Sequence, residues 1–234
     1  MRGLDLAIKL PMAFDAERLA ADLATAETFQ FMKHPLRYHD GSWNVINLIY
    51  AGGSAEYHHE GAYGYGTEPP QPTEVLRNCP YFAEVLATLP GRIKMARLSA
   101  LPPGGHILRH YDPVESVDFD DLRIHIPVRT APEVRFYLGF RRRRWQAGEA
   151  WYGDFTFPHA IHNDSAITRV HIIVDLAPDA ESLAWFPPGY LDAASKARRA
   201  RLRRLHKDWS WYLHRLEKLF GGGPKDGAAK NTAA

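Results

Sequence analysis

From Ile93 onward, apolar and polar residues alternate with a period of two over much of the chain. RIKMARLSAL (92–101), HILRHY (106–111), LRIHIPVRT (122–130), EVRFYLGF (133–140), EAWYGDFTF (149–157) and TRVHIIVDL (168–176) are short, rich in β-branched or aromatic residues, and separated by turn residues. Short strands at this spacing, each with two unlike faces, predict a mainly β sandwich or jelly roll with flanking helices. A doubly wound α/β fold is excluded, because few helical stretches lie between the strands. Upstream, Asp15 precedes AERLAADLATAE, where Leu19 and Leu23 fall one turn apart, and this predicts an N-capped helix. SWNVINLIY (42–50) reads as a strand and AGGSAEYHHEGAYGYGTEPPQP (51–72) as a long loop with neither period. Thr73 caps a short helix through PYFAEVLATLPG, which Pro90 and Gly91 end, and helix returns only after Pro188.

In that last helix Leu202, Leu205, Trp209, Tyr212, Leu216 and Leu219 follow at steps of three or four and form an apolar stripe, with arginines on the other face. GGGPKDGAAKNTAA (221–234) has nothing to bury and is expected to be a flexible tail. The predicted organisation is a β domain over 1–190 with its core near 93–176, a basic amphipathic helix over 191–220, and the tail. Charge adds one asymmetry. Of a net +2 over 234 residues, the segment from Lys196 to Lys218 holds nine Lys or Arg against Asp208 and Glu217, a local +7 that leaves the remainder at −5. A nucleic-acid partner is not expected, since no recognition motif accompanies the basic run. The stripe is expected to pack on the body or on a second copy of the chain, as a homodimer. Cys79 is the single cysteine, so no intrachain disulfide forms, and no run approaches the ~18 apolar residues of a membrane span. Together these predict a cytoplasmic protein without membrane insertion.

Strand arithmetic brings out the chemistry, because residues i and i+2 project to one side. In His110-Tyr111-Asp112 an imidazole and a carboxylate project together, near enough to hold one metal. TRVHIIVDL carries Val170, Ile172 and Val174 on one face and Arg169, His171, Ile173 and Asp175 on the other. LRIHIPVRT repeats the design, with Leu122, Ile124, Ile126 and Val128 opposite Arg123, His125 and Pro127. In a closed jelly roll the Arg-x-His faces line the interior, where they require anionic or metal partners. His159 and His162 are the remaining candidates for a third ligand. Two histidines and one carboxylate leave open positions on a metal and match the ligand set of non-haem Fe(II) oxygenases. His58 and His59, with Tyr57, Tyr63 and Tyr65, are candidates for a lid. Trp145, Trp151 and Glu149 read as packing or turn residues, His106 as a loop residue, and Arg141 to Arg144 as a solvated hairpin tip.

The succession RLSALPPGGHILRHYD, RIHIPV, W-x-x-GEAWYGDF, His159 with Asn163, and RVHIIVDL resembles, in order and spacing, the aspartyl/asparaginyl β-hydroxylase family over about Ile93 to Leu176. That family consists of Fe(II)- and 2-oxoglutarate-dependent dioxygenases and includes bacterial proline hydroxylases. The resemblance implies a cupin-like double-stranded β-helix with His110, Asp112 and His159 as metal ligands. By position it makes Arg169 the partner of the distal carboxylate of 2-oxoglutarate, His125 and Ser99 further co-substrate contacts, and Arg123 and His171 candidates for the substrate. Fe(II), 2-oxoglutarate and O2 follow as cofactor and co-substrates. The implied reaction hydroxylates an unactivated C–H of an amino acid, or of an Asp or Asn residue in a peptide, with release of succinate and CO2. Free L-proline and a lipid acyl chain are alternative substrates. A non-catalytic jelly roll using its basic helix for a partner is the alternative from another class. Two departures are visible. Asp112 is present where animal aspartyl hydroxylases lack a carboxylate ligand, and DPVESVDFDDLR is a longer segment than the family's between the first ligands and the RIH strand.

Overall fold

A computed structural model describes residues 4–36, 38–56 and 65–220, with side chains described as far as 207. Eight strands make the barrel: β5 (Arg92–Leu101), β6 (His106–His110), β7 (Leu122–Arg129), β8 (Val134–Leu138), β9 (Arg141–Arg143), β10 (Glu149–Gly153), β11 (His159–Asn163) and β12 (Arg169–Ala177). They divide into two facing antiparallel sheets. One has the order β10-β7-β12-β5 and the other β6-β11-β8-β9. The chain changes sheet at every step except the β8–β9 hairpin, and this winding is the double-stranded β-helix, a jelly roll. Four further strands extend the first sheet: β1 (Ala7–Ala13) beyond β10, and β3 (Asn44–Ala51) beyond β5 with β2 (Met32–Lys33) and β4 (Pro70–Pro72) on it.

Period-two alternation explains the two cores. Leu98 of β5, Ile124 and Ile126 of β7, and Ile172 and Val174 of β12 turn outward and are buried by α1 (Ala16–Ala26) and α3 (Pro80–Ala87), through Leu19, Leu23, Phe82 and Val85. The opposite faces point into the barrel, where Trp43, Ile107, Phe136, Trp145, Phe155 and Ile161 pack. Asp15 caps α1 as expected, accepting from the N–H groups of Glu17 and Arg18. Cys79 gives α3 no side-chain cap, and buried Asp22 of α1 takes that place, accepting from the Phe82 N–H at 2.8 Å. In the turn before β10, Gly148 has φ +81°, and a Cβ there would lie 2.2 Å from the Phe14 carbonyl oxygen, so only glycine lets β1 and β10 close.

Several elements differ from expectation. The Thr73 cap serves a separate one-turn helix, α2 (Glu74–Arg77), ahead of α3, because Pro80 starts a new helix. AIKLPMA, with too little alternation to signal a strand, becomes β1 by pairing with β10. A short helix, α4 (Ala180–Leu183), precedes Pro188, its N-terminus closed by reciprocal bonds between Asp179 and Ser182. Arg141–Arg143 forms the second arm of the β8–β9 hairpin instead of its tip. The last helix, α5 (Ala193–Phe220), faces the body differently from the stripe: Leu205 is 48% exposed, whereas Arg199 and Arg203 are buried. Trp209, Tyr212, Leu216, Leu219 and the tail lie outside the described side chains. No helix among the described residues is long and apolar enough to cross a membrane.

Candidate metal and co-substrate site

In the antiparallel pair β6–β11, His110 stands opposite His159. Their rings lie 4.0 Å apart between centroids, inside the barrel. Asp112 follows β6 by two residues, and its backbone N–H donates to the Phe155 carbonyl at 2.9 Å. Its carboxylate lies 3.8 Å from Nε2 of His110 and 3.9 Å from Nε2 of His159. One ligand atom from each of the three residues falls within 4.8 Å of the others. Each histidine donates its Nδ1–H to a backbone carbonyl, His110 to Leu108 at 2.7 Å and His159 to Phe157 at 3.0 Å. That contact leaves both Nε2 lone pairs directed at the shared space, as a metal-ligating imidazole requires. Burial holds both imidazoles down to about 3, with the neighbouring ring adding to the effect at His110, so both are neutral at ordinary pH. The donor set therefore fits a divalent first-row metal in its charge state, its tautomers and its convergence.

Behind Asp112 lies a buried ionic network. Arg123 binds the Asp112 carboxylate through Nη1, Asp175 through Nε at 2.6 Å and Nη2 at 2.8 Å, and Glu115 through Nη2 at 3.2 Å. Burial alone would lower the Arg123 pKa, but these carboxylates raise it well above its ordinary value. Arg97, on the inward face of β5 beside Ser99, is also buried. Its Nη1 is 3.4 Å from the Met95 sulfur and 3.8 Å from Asp175, while its Nε has no partner among the described residues. A cavity of about 350 Å³ opens on this side of the cluster, with Arg97, Asp112, Glu115, Tyr38, Trp43 and Met95 in its wall.

A second, narrower space runs from His110, Asp112 and His159 past Ser99, His125 and Ile173 to Arg169. Ser99 Oγ accepts from Trp43 Nε1 at 2.8 Å, so its own proton can be donated into this space. Arg169 is 1% exposed, and its Nη2 donates to His171 Nδ1 at 2.9 Å. Nε and Nη1 of Arg169 and Nε2 of His125 have no partner among the described residues. Burial brings Arg169 down to about 9 and pushes His125 and His171 well below their ordinary values, and the Arg169 charge pushes both further. Two unpaired N–H groups on a buried guanidinium fit an anionic group from outside the chain, and a carboxylate matches their geometry.

The structure thus brings His110, Asp112, His159, Ser99, His125, Arg123 and Arg169 around one space. His171 stands one layer back, against Arg169 and outside the lining of that space. His162 is directed elsewhere, with its ring 4.7 Å from that of His106. Tyr57, His58, His59 and Tyr63 lie outside the described residues. Tyr65 is described, and it donates to Asp121 at 2.9 Å. Arg97 went unnoticed in the sequence, although the alternation that places Ser99 inward places Arg97 there too. Glu115 and Trp43 carried no signal, because a loop and a distant strand deliver them.

A double-stranded β-helix with two histidines and a carboxylate on its inner wall has the ligand set of a non-haem iron protein. A family model described as Aspartyl/Asparaginyl beta-hydroxylase matches residues 13–178, and the chain belongs to that family. The L-proline cis-4-hydroxylase of Rhizobium meliloti (strain 1021) is 25% identical in an alignment of 187 residues that covers 76% of this chain. The matched part spans 61% of that relative's length. Among solved structures, a Pseudomonas putida prolyl-4-hydroxylase aligns with TM-score 0.48 at 12% identity, over 76% of this chain and 95% of that one. A Trichoplax adhaerens prolyl hydroxylase in complex with a hypoxia inducible factor oxygen degradation domain peptide fragment aligns with TM-score 0.47 at 10% identity, over 77% and 87%.

Proposed function

We propose that the chain is an Fe(II)- and 2-oxoglutarate-dependent hydroxylase acting on a carboxylate-bearing substrate, an amino acid or an amino-acid residue in a peptide. One observation carries the reading: two neutral imidazoles with free Nε2 atoms and a carboxylate converge at one end of a space that closes on the unpaired N–H groups of Arg169. In this reading His110, Asp112 and His159 hold the iron, which when bound supplies the activation of dioxygen that couples 2-oxoglutarate decarboxylation to C–H hydroxylation.

The chain's own residues do the rest. Arg169 would pair with the distal carboxylate of 2-oxoglutarate and hold that end of the co-substrate at the far end of the space from His110, Asp112 and His159. The Ser99 hydroxyl adds a donor along the way, and neutral His125 adds a polar contact without a second positive charge. Phe155, Ile161 and Ile173 exclude water around the co-substrate. Arg123 fixes the Asp112 carboxylate in place beside the two histidines. On the other side, buried Arg97 lines the larger cavity, where its guanidinium would bind a substrate carboxylate and orient the carbon to be hydroxylated. L-Proline, the substrate in the name of the 25% identical relative, is one member of that class.

The test is succinate formation by anaerobically iron-loaded protein given 2-oxoglutarate and air, across a panel of free amino acids and Asp- or Asn-containing peptides. Succinate stimulated by one panel member, with a product heavier by one oxygen, is the expected result. No succinate with any member, together with no Fe(II) binding, would return the chain to a non-catalytic jelly roll.

A further inference from the structure

The basic helix α5 lies beyond the residues the family model matches, yet two of its arginines reach inward. Arg199 is fully buried, with Nε and Nη2 on Asp118 at 2.9 and 2.5 Å and Nη1 on the Tyr190 carbonyl at 2.7 Å. Arg203, one turn on, also binds Asp118, at 2.5 Å, and then continues further into the fold. Its Nε donates to Thr156 Oγ1 at 2.5 Å, and its Nη2 donates to Asp154 at 2.9 Å and Ser116 Oγ at 3.2 Å. The Thr156 hydroxyl itself donates to Asp154. A single guanidinium therefore closes the turn Asp154–Phe157 that joins β10 to β11.

The carbonyls of that turn hold the candidate ligands. The Phe155 carbonyl accepts the Asp112 N–H, and the Phe157 carbonyl accepts the His159 Nδ1–H. The Phe155 N–H donates to the Glu115 carbonyl at 3.1 Å, which ties in the loop carrying Arg123's partner. Two of the three ligands thus take their orientation from four residues that Arg203 keeps in shape. Loss of a ligand's supporting bond typically weakens metal binding about 10- to 100-fold, and Arg203 acts one bond further out.

We propose that Arg203 of α5 is a positioning residue for the metal site, acting through Thr156 and Asp154 on Asp112 and His159; the inference rests on the ligand assignment proposed above. The helix is then part of the site's support and not a free basic surface. Arg199 supplies the control, because it anchors the same helix to the same Asp118, and its described bonds go to Asp118 and the Tyr190 carbonyl rather than to the turn.

The test is an anaerobic Co(II) titration, followed by d–d absorption and chelator competition, on the full chain and on R203K, T156V and R199K, with denaturant unfolding measured alongside. Lysine keeps the charge at 203 but lacks the fork, and valine keeps the shape at 156 without the hydroxyl. R203K and T156V are expected to bind Co(II) about tenfold more weakly and to change the absorption envelope, with R199K unchanged in both at a similar loss of stability. Unchanged affinity in R203K and T156V would overturn the inference, and so would an equal loss in R199K. If the unaltered chain binds no Co(II), the ligand assignment fails, and the inference falls with it.

Discussion

Replacing Arg169 by methionine separates the needs of folding from those of function. Without a bound anion, Arg169 is a buried cation whose described partner is one neutral histidine, and burial brings it from its ordinary 12.5 down to about 9. That depression corresponds to on the order of 5 kcal/mol of instability carried by the ligand-free protein, an upper figure because water entering the adjoining cavity relieves part of it. The sign follows from linkage. The group is ionised in both states at neutral pH, so the folded state is penalised throughout that range, and stability returns only as pH rises from about 9 toward the unfolded value. Methionine retains most of the volume and removes the buried charge. Arg169→Met is therefore expected to unfold in denaturant at the same or a higher concentration than the unaltered protein when both are free of 2-oxoglutarate. With metal and 2-oxoglutarate present that advantage narrows, because the unaltered protein gains ligand binding that the variant lacks. Truncating one partner of a buried, hydrogen-bonded charge pair costs about 2–5 kcal/mol, so 2-oxoglutarate should bind roughly 30-fold to several thousandfold more weakly. Isothermal titration of 2-oxoglutarate into the Co(II)-loaded protein reads the affinity directly. A variant that is clearly destabilised when ligand-free, yet binds 2-oxoglutarate normally, would refute the reasoning.

Asp112→Ala should lose iron on dialysis while remaining folded, since Arg123 keeps Asp175 and Glu115; retained iron with normal turnover would remove Asp112 from the ligand set. Arg97→Met should raise KM for the primary substrate roughly thirtyfold or more and leave KM for 2-oxoglutarate unchanged, and steady-state kinetics with each reactant varied in turn would expose the opposite pattern. Asp118→Asn should lose about 3 kcal/mol at neutral pH by leaving Arg199 and Arg203 without their shared carboxylate. Burial raises the Asp118 pKa, but the two arginines lower it by more, so its contribution is full above the unfolded value near ~3.9 and is lost as pH falls through the folded one. Unfolding curves of the two proteins should therefore converge in acid; a gap that stays constant below pH ~4 would contradict the pairing.

Local periodicity made the barrel legible, because residues 92–176 place apolar side chains on one face and Arg, His and Asp on the other in strand after strand. The same periodicity identified His110 with Asp112 and the Arg169 face. It left His159 and His162 unresolved, since the two stand three apart near one strand and only the pairing of β11 with β6 turns His159 inward. The alternation that turns Ser99 inward places Arg97 on the same face. What local patterning does not encode are the long-range partners: Trp43 with Ser99, Arg123 with Glu115, and α5 with the Asp154 turn. The helix is the clearest case. Its apolar stripe pointed to one buried face; of the described residues, Leu202 packs on the body and Leu205 is 48% exposed, while ion pairing with Asp118 and Asp154 buries Arg199 and Arg203, which the stripe did not signal.

Oxygen transfer from O2 coupled to 2-oxoglutarate decarboxylation is read by turnover under isotopically labelled dioxygen with mass analysis of both products. One labelled oxygen in succinate and one in the hydroxylated carboxylate substrate is the result expected. Unlabelled products, or succinate that forms at the same rate in the iron-free protein, would contradict it.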